Sequence, residues 1–122
     1  MHIDICEYSY IHMPELSAFT AEFFKALAHP LRIRILDALR HGEIGVNDLS
    51  EKLGVEQSTV SQQLAVLRKS NIVEGRKEAQ NVFYSVRDPA IFRLLDEAKR
   101  VFNNHLIDIR DLLSQLTPVS RK

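Results

Sequence analysis

The sequence predicts a mainly α-helical domain with one small two-stranded β hairpin, and three features of the 122-residue chain make that prediction. Apolar residues recur at steps of three and four through most of the length, the period of a helix buried along one side. Between Ile72 and Val86 the period falls to two, as in a pair of half-buried strands. Near the middle, two short helical stretches are separated only by a turn that contains Gly54.

Taken in order, residues 1–14 have no clear period and read as an N-terminal arm. From Leu16 the series Leu16, Phe19, Phe23 and Leu27 marks a first helix. His29-Pro30 breaks that pattern, and proline suits the first turn of a helix, so a second helix is expected from there to about Arg40. Its core stripe is Leu31, Ile35, Leu36 and Leu39, and Gly42 is its stop. A third helix is expected at about 47 to 53, with Asn47 as N-cap and Leu49 and Leu53 inward, followed by a turn at Gly54, Val55 and Glu56. The fourth runs from Gln57 to Lys69, with Val60, Leu64 and Leu67 at i, i+4 and i+7. The hairpin has strands at Ile72 to Arg76 and Asn81 to Val86, joined by the polar loop Lys77 to Gln80.

From Pro89 to about Leu116 a long stripe returns: Ile91, Leu95, Ala98, Phe102, Leu106, Ile109, Leu113 and Leu116. A helix of ~28 residues spans ~42 Å, more than so small a domain covers alone, so part of the stripe is expected to meet a second copy of the chain. Residues 15–118 thus form one domain, a helix-turn-helix with a hairpin wing, and residues 119–122 a tail.

Composition is ordinary for a globular protein, with 45% hydrophobic and 26% charged residues, and the formal net charge is zero. No global basic field announces a nucleic-acid partner, yet the charge is unevenly spread. Residues 1 to 24 hold Asp4, Glu7, Glu15 and Glu22 and no base, whereas residues 57 to 87 hold Arg68, Lys69, Arg76, Lys77 and Arg87 against Glu74 and Glu78. The single cysteine, Cys6, excludes an intrachain disulfide and fits a reducing compartment. No apolar run is long enough for a membrane span and no leader pattern is visible, so a soluble, cytoplasmic protein is expected. Gly-rich phosphate loops, HExxH and the nucleophile elbow are all missing, which leaves an enzyme without a motif.

A wheel at 100° per residue places Ser58, Gln62, Ala65 and Lys69 opposite the core stripe of the fourth helix, with Thr59 and Ser61 on its flanks. That face is short, polar and nearly free of acid. Glutamine pairs bidentately with adenine and small hydroxyls reach bases or phosphates, so the face suits insertion into the major groove of double-stranded DNA. With Gln57 and Gln63 these side chains are the candidate base-reading set. Arg76, Lys77 and Gln80 at the hairpin tip are candidate phosphate contacts. The competing reading is a winged-helix protein-interaction module without DNA binding, which the zero net charge favours; it predicts no salt-dependent duplex binding.

Two stretches carry a family resemblance. AEFFKALAHPLRIRILDAL (residues 21 to 39) and EIGVNDLSEKLGVEQSTVSQQLAVLRKSNIV (residues 43 to 73) resemble the ArsR/SmtB family of bacterial transcriptional repressors, through a His-Pro-x-Arg junction followed by a Ser-x-x-Leu-x-x-Leu recognition helix. The resemblance spans roughly residues 20 to 115. It implies a winged helix-turn-helix that dimerises through its first and last helices and blocks a promoter operator, an inverted repeat, until an inducer releases it. Phe19 and Phe23 on the first helix and Phe102, Leu106, Ile109 and Leu113 on the last are the matching interface candidates. Gln63 stands where many members have histidine.

The family's metal sites are not carried over. Gly45 and Asn47 stand where the arsenic and cadmium sensors have thiols, and neither supplies a soft ligand. The four zinc positions become Asp88, Ala90, Val101 and Asn104, with one ligand among them. His105 and Asp108 share a helix face at i, i+3 but are two ligands where a metal needs about four. No metal or other cofactor is therefore expected, and the inducer is left as a small molecule or a redox signal. For the latter Cys6 is either a sensor or an inert tail thiol, and no neighbouring cation lowers its pKa.

Overall fold

The computed structural model describes residues 10–116. The residues of the expected arm before Tyr10, Cys6 among them, and the tail at 119–122 lie outside the described residues. The chain divides into two compact units at Arg87 and Asp88.

The first unit runs α1 (Pro14–Leu27), α2 (Pro30–Ala38), a single 3-10 turn (Leu39–His41), β1 (Ile44–Gly45), α3 (Val46–Leu53), α4 (Gln57–Lys69), β2 (Val73–Glu78) and β3 (Asn81–Val86). Proline opens both α1 and α2, where its missing N–H costs nothing. His29 caps α2: its Nδ1 accepts from the Leu31 N–H at 3.1 Å. Two helix ends are closed by a left-handed residue. Gly54 (φ 67) follows α3, with Gly54 N–H on Glu51 O and Val55 N–H on Ser50 O. Asn71 (φ 62) follows α4, with its own N–H on Arg68 O and Ile72 N–H on Leu67 O. Both are the paired closure that satisfies a helix's last carbonyls. The Ser50 hydroxyl donates to Val55 O, and Arg34 Nη2 donates to Leu53 O at 2.8 Å, so the turn between α3 and α4 is tied from two sides.

The core of this unit is built from Ile35 and Leu36 of α2, Leu49 of α3, Val60, Leu64 and Leu67 of α4, and Val73 of β2, all essentially without solvent exposure. The three inward positions of α4 are those its spacing predicts.

The sheet corrects the sequence reading. It has three strands, not two, in the order β1-β3-β2, all antiparallel. Ile44 pairs with Tyr84 and Gly45 with Phe83, and a two-residue strand has no period to detect. Because β1 runs directly into α3, that helix starts at Val46 with Gly45 as its N-cap, and Asn47 lies inside the first turn. The hairpin is also tighter than expected: pairing continues from Val73 with Val86 to Glu78 with Asn81, which leaves only Ala79 and Gln80 as the turn. Lys77 and Glu78, expected in the loop, are strand residues. Ala79 takes φ 57, a left-handed conformation in a residue with a Cβ.

The second unit is α5 (Ala90–Leu116), started by Asp88, whose Oδ1 accepts from the Ala90 N–H at 2.9 Å. Its buried positions, Ile91 and Leu95, fall in the first two turns. Beyond them Phe102, Leu106, Leu113 and Leu116 are each more than half exposed. Among the described residues no helix is long and apolar enough to cross a membrane.

The left-handed Ala79 gives a stability test. Ala79→Gly is expected to raise the unfolding free energy by up to ~1 kcal/mol, read by urea denaturation, because glycine adopts that backbone without the Cβ clash.

Candidate nucleic-acid interface

The face of α4 turned away from the core presents Gln57, Ser58, Ser61, Gln62 and Lys69 to solvent, with Thr59 half-buried at its edge. No acidic residue occurs within the helix. Its orientation follows from Val60, Leu64 and Leu67, since a helix with three buried positions on one stripe has no freedom to roll.

Gln63 differs from its neighbours. It is half-buried, and its Oε1 accepts from Arg32 Nη1 at 2.8 Å. Arg32 also donates through Nε to Ala26 O at 2.7 Å and, weakly, through Nη2 to Lys25 O at 3.5 Å. One guanidinium thus joins the C-terminal end of α1 to α4, and the side-chain oxygen that a base-reading glutamine would use is already taken.

The hairpin places its charges unevenly. Lys77, Gln80 and Asn81 are exposed at or beside the turn. Arg76 is not at the tip; it stands in mid-strand opposite Phe83, at 5.0 Å from the ring centroid. Its Nε and Nη2 donate to the two carboxylate oxygens of Glu43 at 3.0 and 2.8 Å, and Nη1 donates to Glu78 at 2.7 Å. Side chains alternate along strands, so Arg76 and Glu78 of β2, Phe83 of β3, and Gly45 with Glu43 two residues before it occupy one face of the sheet. A Cβ at position 45 would stand 3.2 Å from Phe83 Cε1, so the lack of a side chain there makes room for the ring.

The hydrogen bond from Arg76 holds the Glu43 carboxyl below its usual 4.5, against a smaller opposing effect of burial. The bonds to Glu43 and then Glu78 raise the Arg76 guanidinium still further above its usual value. A carboxyl depressed in the folded state contributes its interaction above the unfolded pKa and loses it as pH falls through the folded one. The charged Glu43–Arg76 pair is therefore the form present at neutral pH, and it weakens as Glu43 takes up a proton below the ordinary carboxylate range. The remaining wing pair, Arg87 with Glu74, is looser at 3.8 Å.

Gly45 packs against the Phe83 ring, and Asp88 Oδ1 accepts from the Ala90 N–H at the start of α5. His105 and Asp108 are exposed on α5, and among the described residues no group of three or more His, Cys, Asp or Glu side chains is assembled.

Residues 29–75, which hold the His29 cap, the Arg32 tie and the whole of α3 and α4, match the family model described as bacterial regulatory protein, arsR family. An HTH-type transcriptional regulator of Mycobacterium tuberculosis, Rv0081, is 43% identical over 97 residues, which cover 79% of this chain and 85% of that protein. The chain belongs to the ArsR family. The crystal structure of M. tuberculosis Rv0081 superimposes on this ArsR-family chain with a TM-score of 0.69 at 42% identity, covering 76% of this chain and 94% of that one. The biofilm growth-associated repressor of Agrobacterium fabrum is 37% identical over 100 residues, 82% of this chain and 86% of that protein. The homodimeric winged helix-turn-helix DNA-binding domain Mb0332 of Mycobacterium bovis gives a TM-score of 0.68 at 28% identity, covering 84% of this chain and 94% of that one. The family and these relatives are named as regulators, not enzymes.

The Arg32 tie generates a prediction for this ArsR-family chain. Arg32→Ala removes charge-assisted bonds to Ala26 O and Gln63, and is expected to cost on the order of 2 kcal/mol in chemical denaturation.

Proposed function

We propose that this ArsR-family regulator is a sequence-specific repressor that binds double-stranded operator DNA as a symmetric dimer in the cytoplasm and releases it on binding a small-molecule or redox inducer. The α4 helix enters the major groove and the β2–β3 hairpin lies along the flanking backbone. The observation that carries this reading is the outward face of α4. Gln57, Ser58, Ser61 and Gln62 stand exposed and without an acid on a helix held immobile by three fully buried side chains. Gln62 is the base reader on that face. Thr59 contributes from the edge, and Lys69 meets backbone at the far end. On the wing, Lys77 and Gln80 take the phosphates.

Exposed apolar side chains support the dimer. Phe19 of α1 is 73% exposed and Phe102 of α5 is 63% exposed, while Leu106 and Leu113 are each over half exposed and Ile109 and Phe23 are partly covered. Removing such residues from water is worth ~25 cal/mol per Å² of apolar surface, and a second copy is the partner implied by the homodimeric relative. A two-fold dimer reads an inverted repeat, with half-sites about one helical turn, ~34 Å, apart.

Three outcomes test the proposal. On an operator selected from random duplexes, Gln62→Ala is expected to lose ~1 to 3 kcal/mol of specific binding and to relax preference at one or two base pairs per half-site. An unchanged selection profile would rule out that face. Lys77→Ala is expected to weaken all duplexes alike and to flatten the log–log salt slope by about one unit. Leu106→Asp combined with Ile109→Asp is expected to sediment as monomer and to lose operator binding; a dimer that still binds would place the interface elsewhere.

A further inference from the structure

We propose that Glu43, Phe83 and Arg76 form a strap across the three-stranded sheet that sets the wing's position relative to the helix-turn-helix, which makes Arg76 a positioning residue and not a phosphate contact. The inference rests on the DNA-binding reading above. In the order β1-β3-β2, the strand that leads into α3 and the strand that bears Lys77 are not neighbours. Backbone pairing joins each of them only to β3. Arg76 is the side chain that spans the gap, from β2 over the Phe83 ring to Glu43 beside β1.

Three physical arguments favour a strap over a clamp. Each nitrogen of the fork makes a bond: Nε and Nη2 hold both oxygens of one carboxylate, Nη1 holds a second carboxylate, and the cation's face lies over an aromatic ring. Bidentate geometry and a network are the conditions under which an exposed ion pair contributes. Charge points the same way. One guanidinium with two carboxylates carries a net negative charge, so the group as a whole repels a phosphate unless Arg76 abandons both partners. Packing supplies the third argument. Gly45 leaves the space that Phe83 occupies, and Phe83 is the platform that carries the guanidinium, so β1, β3 and β2 contribute consecutive layers of one assembly.

The test compares Arg76→Lys, Arg76→Ala, Glu43→Gln and the double variant Glu43→Gln with Arg76→Ala, using Glu74→Gln as a charge-matched control. Binding to the selected operator is measured across a salt series, and amide hydrogen exchange of β2 and β3 is measured on the free protein. A strap predicts that Arg76→Lys, which keeps the charge but not the fork, loses operator affinity like Arg76→Ala, each by roughly tenfold. Glu43→Gln is expected to weaken binding to the same degree although it removes a negative charge, and the double variant to be no worse than either single change. Salt slopes stay at the parental value, wing amides exchange faster in all four variants, and Glu74→Gln does neither.

The proposal is overturned if Arg76→Lys binds like the parent while Arg76→Ala flattens the slope by about one unit, because a point charge then suffices and Arg76 touches phosphate. Tighter binding by Glu43→Gln than by Glu74→Gln overturns it as well, since Glu43 would then be restraining a DNA contact. Unchanged affinity and unchanged wing exchange in the Arg76 and Glu43 variants also sink it. Failure of the underlying reading looks different: the parent protein then shows no salt-dependent duplex binding at all, while the exchange data still report whether the strap holds the wing.

Discussion

Arg32 is the point through which α1, α2 and α4 are held in one arrangement. Helix C-termini leave carbonyl groups without partners, and α1 ends only three residues before α2 begins, too soon for a full capping turn. The guanidinium solves that local problem by donating to the carbonyls of Ala26 and Lys25, and the nitrogen left over donates to Gln63 on α4. The recognition helix is thereby referenced to α1 and not only to its hydrophobic floor. His29 and Pro30 serve the same junction, one by capping the Leu31 N–H and the other by fixing the first turn of α2. The His-Pro-x-Arg motif is thus a structural joint, and each of its named residues has a bond or a dihedral to account for it.

Legibility in the sequence followed the range of the interaction. The limits of α4 were readable, because Val60, Leu64 and Leu67 repeat at helical steps between the turn at Gly54 to Glu56 and the change of period at Ile72. The strand β1 was not readable. Two residues carry no period, and what marks Ile44 and Gly45 as strand is pairing with Tyr84 and Phe83, about forty positions away. The hairpin turn was misjudged for a related reason, since Ala79 occupies a position where glycine or asparagine is the usual signal. Within the candidate interface, the exposed face of α4 was legible from a helical wheel. The engagement of Gln63 by Arg32 and of Arg76 by Glu43 was not, as both join residues more than thirty positions apart. A Glu two residues before a glycine, with an Arg on a later strand, is the only trace those contacts leave.

The zero net charge acquires a physical meaning in this arrangement. Acids and bases do not cancel uniformly over the surface; they cancel in pairs at places where geometry matters, as in Glu43 with Arg76 and, more loosely, Glu74 with Arg87. Lys69 and Lys77, which no such pair holds, lie on α4 and beside the wing turn. A protein of this kind gains little from long-range attraction to DNA and depends instead on fit. Specificity is then less diluted by indiscriminate backbone binding, because the sequence-independent contribution to affinity scales with the number of phosphates neutralised.

The long apolar stripe of α5 ties the exposure of apolar surface to abundance. Its buried residues lie in the first two turns, and the turns beyond expose phenylalanine, isoleucine and leucine to water. In the proposed dimer the cover comes from a second copy, so mass action sets how much of that apolar stripe is hidden from water. At a few molecules per cell the population shifts toward single chains whose distal apolar stripe faces water. Occupancy of an operator then falls with roughly the square of the amount of chain, and a modest drop in synthesis is enough to clear the site.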